Sequence, residues 1–165
     1  MNNLKILKEK EADNYFIRNL NFFKKKNQDR EIKKLLTTTK IKAKSILEIG
    51  CATGIKLNQY KKILKSKKNY GIDLSDKSIN YGKKKYPKLS LFKLSSLDIE
   101  KINEQFDLIV CGFFLYLLDR NELFNQFNQI YKKLNPGGYL IIYDFDPSFN
   151  HTNNSIHNKR LRSYK

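Results

Sequence analysis

This sequence is poor in the residues that mark several classes of protein. It has no tryptophan, two histidines, two cysteines and seven glycines among 165 residues. Cys51 and Cys111 lie far apart and indicate neither a disulfide scaffold nor a zinc site. No apolar run reaches the ~20 residues of a membrane-spanning helix, and the N-terminus lacks the apolar segment of a secretion signal. We therefore expect a cytoplasmic protein without a metal site or a membrane span.

Acidic residues are also few: 16 stand against 33 lysines and arginines, which gives a net charge of +17. Such an excess favours a nucleic-acid partner. However, abundant Lys, Asn, Ile, Tyr and Phe with scarce Ala, Arg, Gly and Pro is also what an AT-rich genome imposes. The lysine clusters at 24–26, 65–68 and 83–85 are therefore predicted to be solvated surface, and nucleic-acid binding stays the less favoured alternative.

What the chain does have is an alternation of short apolar runs with helical stretches. It is long enough for one domain with a core. The alternation predicts an α/β fold, with a doubly wound, mostly parallel sheet and helices on both faces. Residues 1–40 are predicted to form an N-terminal helical cap, 41–146 the core and 147–165 a polar tail. Four apolar residues of the cap are predicted to share one helix face: Phe16, Ile17, Leu20 and Phe23. Strands are predicted at 45–49, 69–73, 89–94, 106–111 and 139–143.

Start and stop signals mark the helices between these strands. Ser75 is predicted to cap the helix that Pro87 ends. Asp119 and Glu122 resemble a capping box before the next long helix, and the turn at 135–138 is predicted to end that helix. Apolar residues recur along it at helical spacing and are predicted to face inward: Leu123, Phe127, Ile130 and Leu134.

The few glycines gather at one end of the predicted sheet. Gly50, Gly54, Gly71 and Gly112 lie near the ends of predicted strands. Ligands of a doubly wound sheet bind at the carboxyl ends of its strands. Glycine there allows the backbone to approach a ligand closely. Asp73 follows the turn at 50–54 by about 20 residues, where an acid can accept hydrogen bonds from ribose hydroxyls.

This glycine turn fits a dinucleotide poorly. Dinucleotide sites use G-x-G-x-x-G, whereas Ala52 stands here at the middle glycine and Ile55 follows Gly54. Glu48 would also repel a pyrophosphate, but it is acceptable beside a sulfonium cofactor that carries an ammonium group. The residues therefore favour S-adenosylmethionine as cofactor, and a nicotinamide dehydrogenase is the least favoured interpretation.

Four segments together resemble the class I S-adenosylmethionine-dependent methyltransferases. Residues 47–54 resemble the first motif of this family and residues 71–75 its second-strand acid. Residues 106–110 resemble the fourth-strand motif, and 134–142 the turn and strand that follow the fourth helix. The resemblance covers residues 45–143 in family order. It implies a Rossmann-like sheet of about five strands in the order 3-2-1-4-5.

The resemblance also implies which residues contact the cofactor. Asp73 would hold the ribose, Leu74 would pack on the adenine, and Arg18 of an N-terminal lid would pair with the cofactor carboxylate. Ser96 or the amide of Leu97 would replace the acid that often meets the adenine amine. The full predicted set is Arg18, Glu48, Gly50, Cys51, Ala52, Gly54, Asp73, Leu74, Ser96, Leu97, Cys111 and Gly112.

No catalytic residue can be named from the sequence. Orientation and desolvation supply much of the rate of an in-line methyl transfer, so a dedicated base is not required. The Asp/Asn-Pro-Pro-Tyr/Phe signature of many exocyclic-amine methylases is absent after the fourth strand, which argues against DNA adenine or glutamine as acceptor. We expect a methyltransferase that acts on a small molecule, with an RNA methyltransferase as an alternative.

The C-terminal region is short for this family. About 22 residues follow the fifth predicted strand, too few for the helix and antiparallel hairpin that complete a seven-stranded sheet, so we expect that hairpin to be absent. The fifth strand would then be an exposed edge, which tends to pair with another chain. A cofactor-binding but inactive or partner-dependent subunit, assembled as a homodimer or hetero-complex through this edge, is the second interpretation.

Overall fold

Five parallel strands form one sheet in a computed structural model of the protein, which describes residues 2–24 and 30–165. The strands are β1 (Ser45–Ile49), β2 (Lys68–Asp73), β3 (Ser90–Lys93), β4 (Phe106–Gly112) and β5 (Leu134–Tyr143). Their order is β3-β2-β1-β4-β5, and each neighbouring pair is parallel. The predicted doubly wound fold is confirmed.

Helices cover the sheet and precede it. The α-helices are α1 (Asn3–Ile6), α2 (Ala12–Arg18), α3 (Leu20–Lys24), α4 (Arg30–Thr38), α5 (Ile55–Leu64), α6 (Asp76–Lys85) and α7 (Leu123–Lys133). A π-helical turn joins α1 to α2, and short 3-10 turns occur at Ser96–Lys101, Leu115–Leu117 and Arg120–Glu122. Among the described residues no helix has the length and apolarity to cross a membrane. Two lysines of the cluster at 24–26 lie outside the described residues.

The core lies on both faces of the two central strands. Every residue of β1 is buried, and β4 is buried from residue 108 to 111. Ile46 and Val110 pack toward α4, α5 and α6 on one face of the sheet. Leu47 and Ile109 pack toward α7 on the other face. Successive side chains of a strand point to opposite faces, so a nearly continuous apolar sequence is needed to fill both layers.

The N-terminal helices pack against the sheet domain through a small aromatic group. The rings of Phe16 and Phe23 stack with their centroids 5.8 Å apart, and Phe16 also contacts Tyr81 of α6 at 5.6 Å. Leu20 packs against this group, as the predicted helix face requires. Ile17 was predicted on the same face, but 51% of it is exposed, so that part of the prediction is wrong.

The strand β5 begins five residues earlier than predicted. Residues 135–138 were predicted to form a helix-ending turn, but they belong to an irregular strand whose register shifts opposite residues 106–108. Asn135 fixes this irregularity because its Nδ2 donates to Asp107 Oδ1 at 2.7 Å. A Cβ at Gly138 would lie 2.9 Å from the Asn135 carbonyl oxygen. The Pro-Gly-Gly sequence is therefore part of a β-bulge, an irregularity that bends a strand locally.

The predicted capping box of α7 is not formed. The Asp119 side chain makes no hydrogen bond to the start of the helix, and a 3-10 turn separates it from Leu123, where α7 begins. Its carboxylate instead accepts hydrogen bonds from the backbone N–H of Asn3 at 2.9 Å and the hydroxyl of Tyr164 at 3.2 Å. The contacts of Asp119 with Asn3 and Tyr164, which are distant in sequence, therefore replace the expected cap of α7.

The inner face of α7 also differs from the prediction. Gln126 and Gln129 are buried, while Phe127 is 36% exposed. The Nε2 atoms of the two glutamines donate to the carbonyl oxygens of Ser96 and Leu97, at 3.1 and 2.8 Å. Buried carbonyl groups need hydrogen-bond partners, and α7 supplies them from this face.

The predicted polar tail contains a small antiparallel hairpin, β6 (Thr152–Asn154) and β7 (Arg162–Tyr164). It forms a sheet of its own, and no described strand pairs with the outer side of β5. The buried side chain of Asn3 donates to Arg162 O at 2.6 Å and accepts from Arg162 N at 3.0 Å. It also donates to Leu117 O at 2.9 Å. The two ends of the described chain are thus bound together.

Candidate functional site

The turn after β1 is held in an uncommon backbone conformation. The φ angles of Gly50, Ala52 and Gly54 are +71°, +47° and +73°. The N–H groups of Gly50 and Cys51 both donate to Ile72 O, at 2.9 and 3.0 Å. Left-handed backbone favours glycine, so Ala52 holds this conformation against a cost of ~1–2 kcal/mol. The turn is thereby fastened to the carboxyl end of β2.

Asp73 connects the end of β2 to the same turn. Its Oδ2 accepts from Ala52 N and its Oδ1 from Ser75 N, both at 2.8 Å. Burial raises the pKa of Asp73 above the usual 3.8, while hydrogen bonds from Ser75, Ala52 and Leu74 act to lower it. A carboxylate has about four acceptor positions. Three backbone donors therefore leave room for one more, such as a ribose hydroxyl.

Glu48 lies in the core under the turn. The residue is 3% exposed, and its Oε2 accepts from Leu57 N at 3.0 Å. That N–H belongs to the first turn of α5, where amides lack a partner within the helix. Glu48 therefore caps α5 and places a negative charge under the turn. Its contact with a cofactor, direct or through water, stays a prediction.

The end of β4 lies beside the turn, since Cys111 pairs with Ile49. A Cβ at Gly112 would meet no atom within 4 Å, so this backbone borders open space. Phe113 follows with φ +52°, and its N–H donates to Tyr143 O at 2.7 Å. A non-glycine residue in this region stores ~1–3 kcal/mol of strain, which often accompanies a functional site.

The two cysteines are buried and unreactive by environment. Burial raises the pKa of Cys51 well above 9.0, and burial together with the Asp144 and Glu48 charges raises the pKa of Cys111 to about 12. A Cβ at Gly71 would lie 2.8 Å from Cys51 Sγ. The Cys51 thiol therefore packs between β1 and β2, which leaves its backbone as the part that can contact a ligand.

The loop after β3 is fixed from two sides. Ser95 Oγ accepts from Leu97 N at 3.3 Å, so the Leu97 amide already has a partner. Ser96 is 7% exposed, and its carbonyl accepts from α7. The predicted contact of Ser96 or Leu97 with an adenine stays a prediction, and the structure places both residues at the carboxyl side of β3.

The helix α2 reaches the start of α6, next to Asp73. Asp13 Oδ1 accepts from Ser75 Oγ at 2.7 Å and from Lys77 N at 3.0 Å. Burial raises the pKa of Asp13, but the hydrogen bonds from Lys77 and Ser75 and nearby lysine charges outweigh it, so the pKa lies below 3.8. No sequence signal pointed to Asp13.

Tyr15 of α2 lies near the site, although half of its surface is exposed. Burial and the nearby Asp73 charge raise the pKa of its hydroxyl, while Lys56 and Arg18 lower it, so all three charges lie around this group. Arg18 Nη2 forms an ion pair with Glu11 Oε1 at 2.5 Å. The segment that carries α2 therefore lies next to the end of β2, and its role as a lid stays a prediction. The pairing of Arg18 with a cofactor carboxylate stays a prediction.

Two further groups at this end of the sheet were missed by sequence reasoning. Lys56 follows the glycine turn and lies over the rings of Phe113 and Tyr143. Asp144 follows β5 directly, and its Oδ2 accepts from Tyr116 N at 3.1 Å. Its position at the carboxyl end of a strand was the available signal. Within residues 2–24 and 30–165 no group of three or more His, Cys, Asp or Glu side chains could hold a metal ion.

Comparison with known proteins identifies this arrangement. The profile of the methyltransferase domain family matches residues 46–138, which is more than half of the chain. The chain belongs to this family of class I S-adenosylmethionine-dependent methyltransferases with a Rossmann-like fold. The cofactor of the family is S-adenosylmethionine, so the predicted cofactor is confirmed.

Particular relatives are similar over part of the chain. An uncharacterized protein of Rickettsia prowazekii is 33% identical over 115 residues, which cover 66% of this chain and 46% of that protein. A TehB-like S-adenosylmethionine-dependent methyltransferase from Corynebacterium glutamicum is structurally similar, with a TM-score of 0.64 and 25% identity over 80% of this chain and 71% of that one.

A third similar protein carries a ligand in its solved structure. PKMT2 of Rickettsia typhi, in complex with S-adenosylhomocysteine, has a TM-score of 0.53 and 26% identity over 68% of this chain and 21% of that one. The present chain spans 34–46% of the length of the curated relatives it matches.

Proposed function

We propose that this protein is an S-adenosylmethionine-dependent methyltransferase whose acceptor is a small molecule. The observation that carries the proposal is the hydrogen bond from Ala52 N to Asp73 Oδ2. It joins the glycine turn and the predicted ribose acid into one wall at the carboxyl ends of β1 and β2. This is where the ligand of a doubly wound sheet binds.

The residues present fit this cofactor. Asp73 keeps one acceptor position for a ribose hydroxyl, and Gly112 borders the open space that a ligand requires. Glu48 contributes a negative charge under the turn, which suits a cofactor with a sulfonium and an ammonium group. The bound cofactor supplies an electrophilic methyl group. The protein orients this group toward the acceptor, which supplies much of the rate.

A small acceptor is favoured over RNA by what surrounds the site. Asp13 holds α2 beside the end of β2, which narrows the approach of a large substrate from this side. One lysine of the cluster at 83–85 has a structural role, because Lys85 Nζ donates to Phe23 O at 2.6 Å and lies over the rings of Tyr81 and Tyr86.

Calorimetric titration with S-adenosylhomocysteine tests the proposal, with NAD as a control ligand. We expect micromolar binding of the first alone. Asp73→Ala should weaken it about 10- to 100-fold, since a charge-assisted hydrogen bond contributes ~1.5–3 kcal/mol. Asp73→Asn keeps an acceptor for Ala52 N and should lose less. Asp146→Ala, an exposed acid after β5, should bind normally. Unchanged affinity in Asp73→Ala would remove the proposed site.

A partner-dependent subunit is the second candidate function. Exposed apolar residues occur on β5, whose outer side is unpaired among the described strands, and on α7, which precedes it; proteins usually cover such surfaces. These residues are Phe124 and Tyr131 of α7, 87% and 79% exposed, and Tyr139 and Ile142 of β5, 46% and 49% exposed. This candidate predicts cofactor binding without turnover by the isolated chain and assembly at micromolar concentration. This candidate would be excluded if the protein is a monomer by light scattering and converts S-adenosylmethionine to S-adenosylhomocysteine on its own.

A further inference from the structure

Four aromatic side chains gather where β4 and β5 end, and we call them the aromatic cluster: Phe113, Tyr116, Tyr143 and Phe145. The Phe113 ring centroid lies 4.7 Å from that of Tyr143 and 5.2 Å from that of Phe145, and Tyr116 lies 5.0 Å from Phe145. All three contacts are edge to face. Phe113 and Phe145 are 39% and 47% exposed, so part of the cluster is open to a ligand.

The aromatic cluster already attracts positive charges. Lys56 Nζ lies 5.5 Å from the ring centroid of Phe113 and 5.3 Å from that of Tyr143. Lys165 Nζ lies 4.1 Å from the centroid of Phe145. The negative face of an aromatic ring binds ammonium groups within about 6 Å. Two ammonium groups of the chain itself therefore show what these ring faces can hold.

A carboxylate adds to the negative potential of the cluster. Asp144 lies between Tyr143 and Phe145 in the chain, and its Oδ1 accepts from Phe145 N at 2.8 Å. Burial and nearby Tyr15 and Asp144 raise the pKa of Tyr116 to about 12, so its phenol stays uncharged at neutral pH. Aromatic faces beside a fixed carboxylate are a favourable environment for an organic cation.

The position of the cluster matches that of an acceptor. Phe113 directly follows Gly112, whose backbone borders open space beside the glycine turn. Phe114 packs against Gly50, since a Cβ there would lie 3.1 Å from Phe114 Cβ. The strained φ of Phe113 turns its ring toward Tyr143 and Lys56, away from that packing. The cluster thus adjoins Gly112, one of the predicted cofactor contacts, at the open space beside the glycine turn.

We propose that the methyl acceptor is an alkyl amine that binds to the aromatic cluster as its ammonium ion, in place of the Lys56 ammonium. This inference rests on the proposed function. The ammonium first releases a proton to water. The nitrogen lone pair then forms a bond to the methyl carbon, while the carbon–sulfur bond breaks and sulfur keeps that electron pair. The methylated product leaves as an ammonium ion.

The test compares cyclohexylamine with cyclohexanol, which match in shape and differ in charge at pH 7.5. The protein is first saturated with S-adenosylhomocysteine, and the titration of that ligand tests the proposed function separately. We expect the ammonium probe to bind at least about fivefold more tightly than the alcohol, by NMR of the aromatic signals. Equal affinities in a protein that binds S-adenosylhomocysteine would overturn the amine inference alone.

Two variants locate the effect. Phe145→Leu keeps apolar volume but removes a ring face, so the ammonium probe should bind about fivefold more weakly. Phe92→Leu on β3, where the ring is 43% exposed, is the matched control and should bind normally. Lys56→Met should bind the probe more tightly, because the rings of Phe113 and Tyr143 lose their internal cation. Damage to the fold cannot produce such a gain.

Other outcomes assign the cluster differently. If Lys56→Met binds the ammonium probe more weakly, the lysine does not compete with the ligand and the inference is wrong. If Phe145→Leu weakens binding of S-adenosylmethionine but not of S-adenosylhomocysteine, the cluster holds the sulfonium of the cofactor. That result would also overturn the amine acceptor.

Discussion

The absence of a side chain at Gly82 allows α6 to pack closely against the glycine turn. A Cβ at this position would lie 2.4 Å from the carbonyl oxygen of Thr53 and 2.7 Å from Leu91 Cδ1. The carbonyl oxygen is backbone and cannot move without distorting the turn. Alanine favours a helix over glycine by ~1 kcal/mol, but here the contact opposes that preference.

Gly82→Ala should therefore destabilise the protein. We expect the free energy of unfolding to fall by ~1–3 kcal/mol, as for other overpacked sites, measured by urea titration. Gly112→Ala is the control, because its new Cβ meets open space and its stability should change by less than ~0.5 kcal/mol. Equal losses in the two variants would show that crowding is not the cause.

The buried thiol of Cys111 couples stability to alkaline pH. Its pKa rises from 9.0 to about 12 in the folded protein, chiefly through burial. Between these values the folded state keeps a proton that the unfolded chain releases, so stability falls as pH rises through this window. Below pH 9 the effect is absent.

Cys111→Ala should reduce this pH dependence. The melting temperature of the wild type should fall more steeply between pH 9 and pH 11 than that of the variant. Asn128→Ala, an exposed change on α7, should retain the wild-type slope. Comparing slopes separates the proton effect from the small cavity that the variant leaves. Parallel slopes for Cys111→Ala and the wild type would contradict the assignment.

At the scale of single elements, α6 shows what local sequence can and cannot reveal. Ser75 was predicted as its N-cap, and Ser75 Oγ accepts from Ser78 N at 3.0 Å. This contact was predictable because both residues lie within one helical turn. Asp13 caps the same helix from α2, 62 residues earlier in the chain. No local pattern marks that contact, since it depends on how α2 packs.

Asp13→Ala should lower the free energy of unfolding by ~1 kcal/mol, as the loss of a helix cap does. Asp146→Ala should change little, and chemical denaturation can compare the two. The pKa of Asp13 is lowered on folding, so its contribution is present above pH 3.8 and is lost as pH falls through the folded value. Asp13→Asn should therefore lose less stability on acidification than the wild type.

The strands of the site were predictable from the sequence, whereas the inner face of α7 was not. β1, β2 and β4 were predicted within one residue at each end. For β1 and β4 the reason is that a strand buried on both faces has a nearly continuous apolar sequence. The predicted bounds of the three strands also placed Gly50, Asp73 and Gly112 correctly at the carboxyl ends. The burial of Gln126 and Gln129 was not predicted, because nothing in the sequence reveals that the carbonyls of residues 96 and 97 need partners.

At the scale of the whole molecule, Asn3 joins three distant segments. It is 1% exposed and bonds to Leu117, Arg162 and Asp119 through its side chain and backbone N–H. The hairpin that carries Arg162 is short and polar, so hydrophobic patterning could not predict it. The aromatic cluster was likewise not predicted, because its members come from two segments, 113–116 and 143–145, that are distant in the sequence.

Asn3→Ala should destabilise the N-terminal helices in particular. The change leaves buried polar groups at Leu117 and Arg162 without partners, which costs ~1–3 kcal/mol. Hydrogen exchange should accelerate across residues 3–18 and less within β1 and β4. Asn128→Ala is the control for an asparagine that is exposed. Uniform acceleration across the sheet would mean that Asn3 supports the whole fold instead.

The hydrogen bonds of Asn3 also set an order of events during biosynthesis. Its partners lie 114 and 159 residues downstream, so the first helix emerges from the ribosome long before they do. The sheet can assemble once β5 has been translated, whereas α1 must wait for residue 162. The helix α2 can pack earlier, because its partners Ser75, Lys77 and Tyr81 all precede β5 in the chain. The helix α1 is consequently expected to be the last of the N-terminal helices to reach its native place.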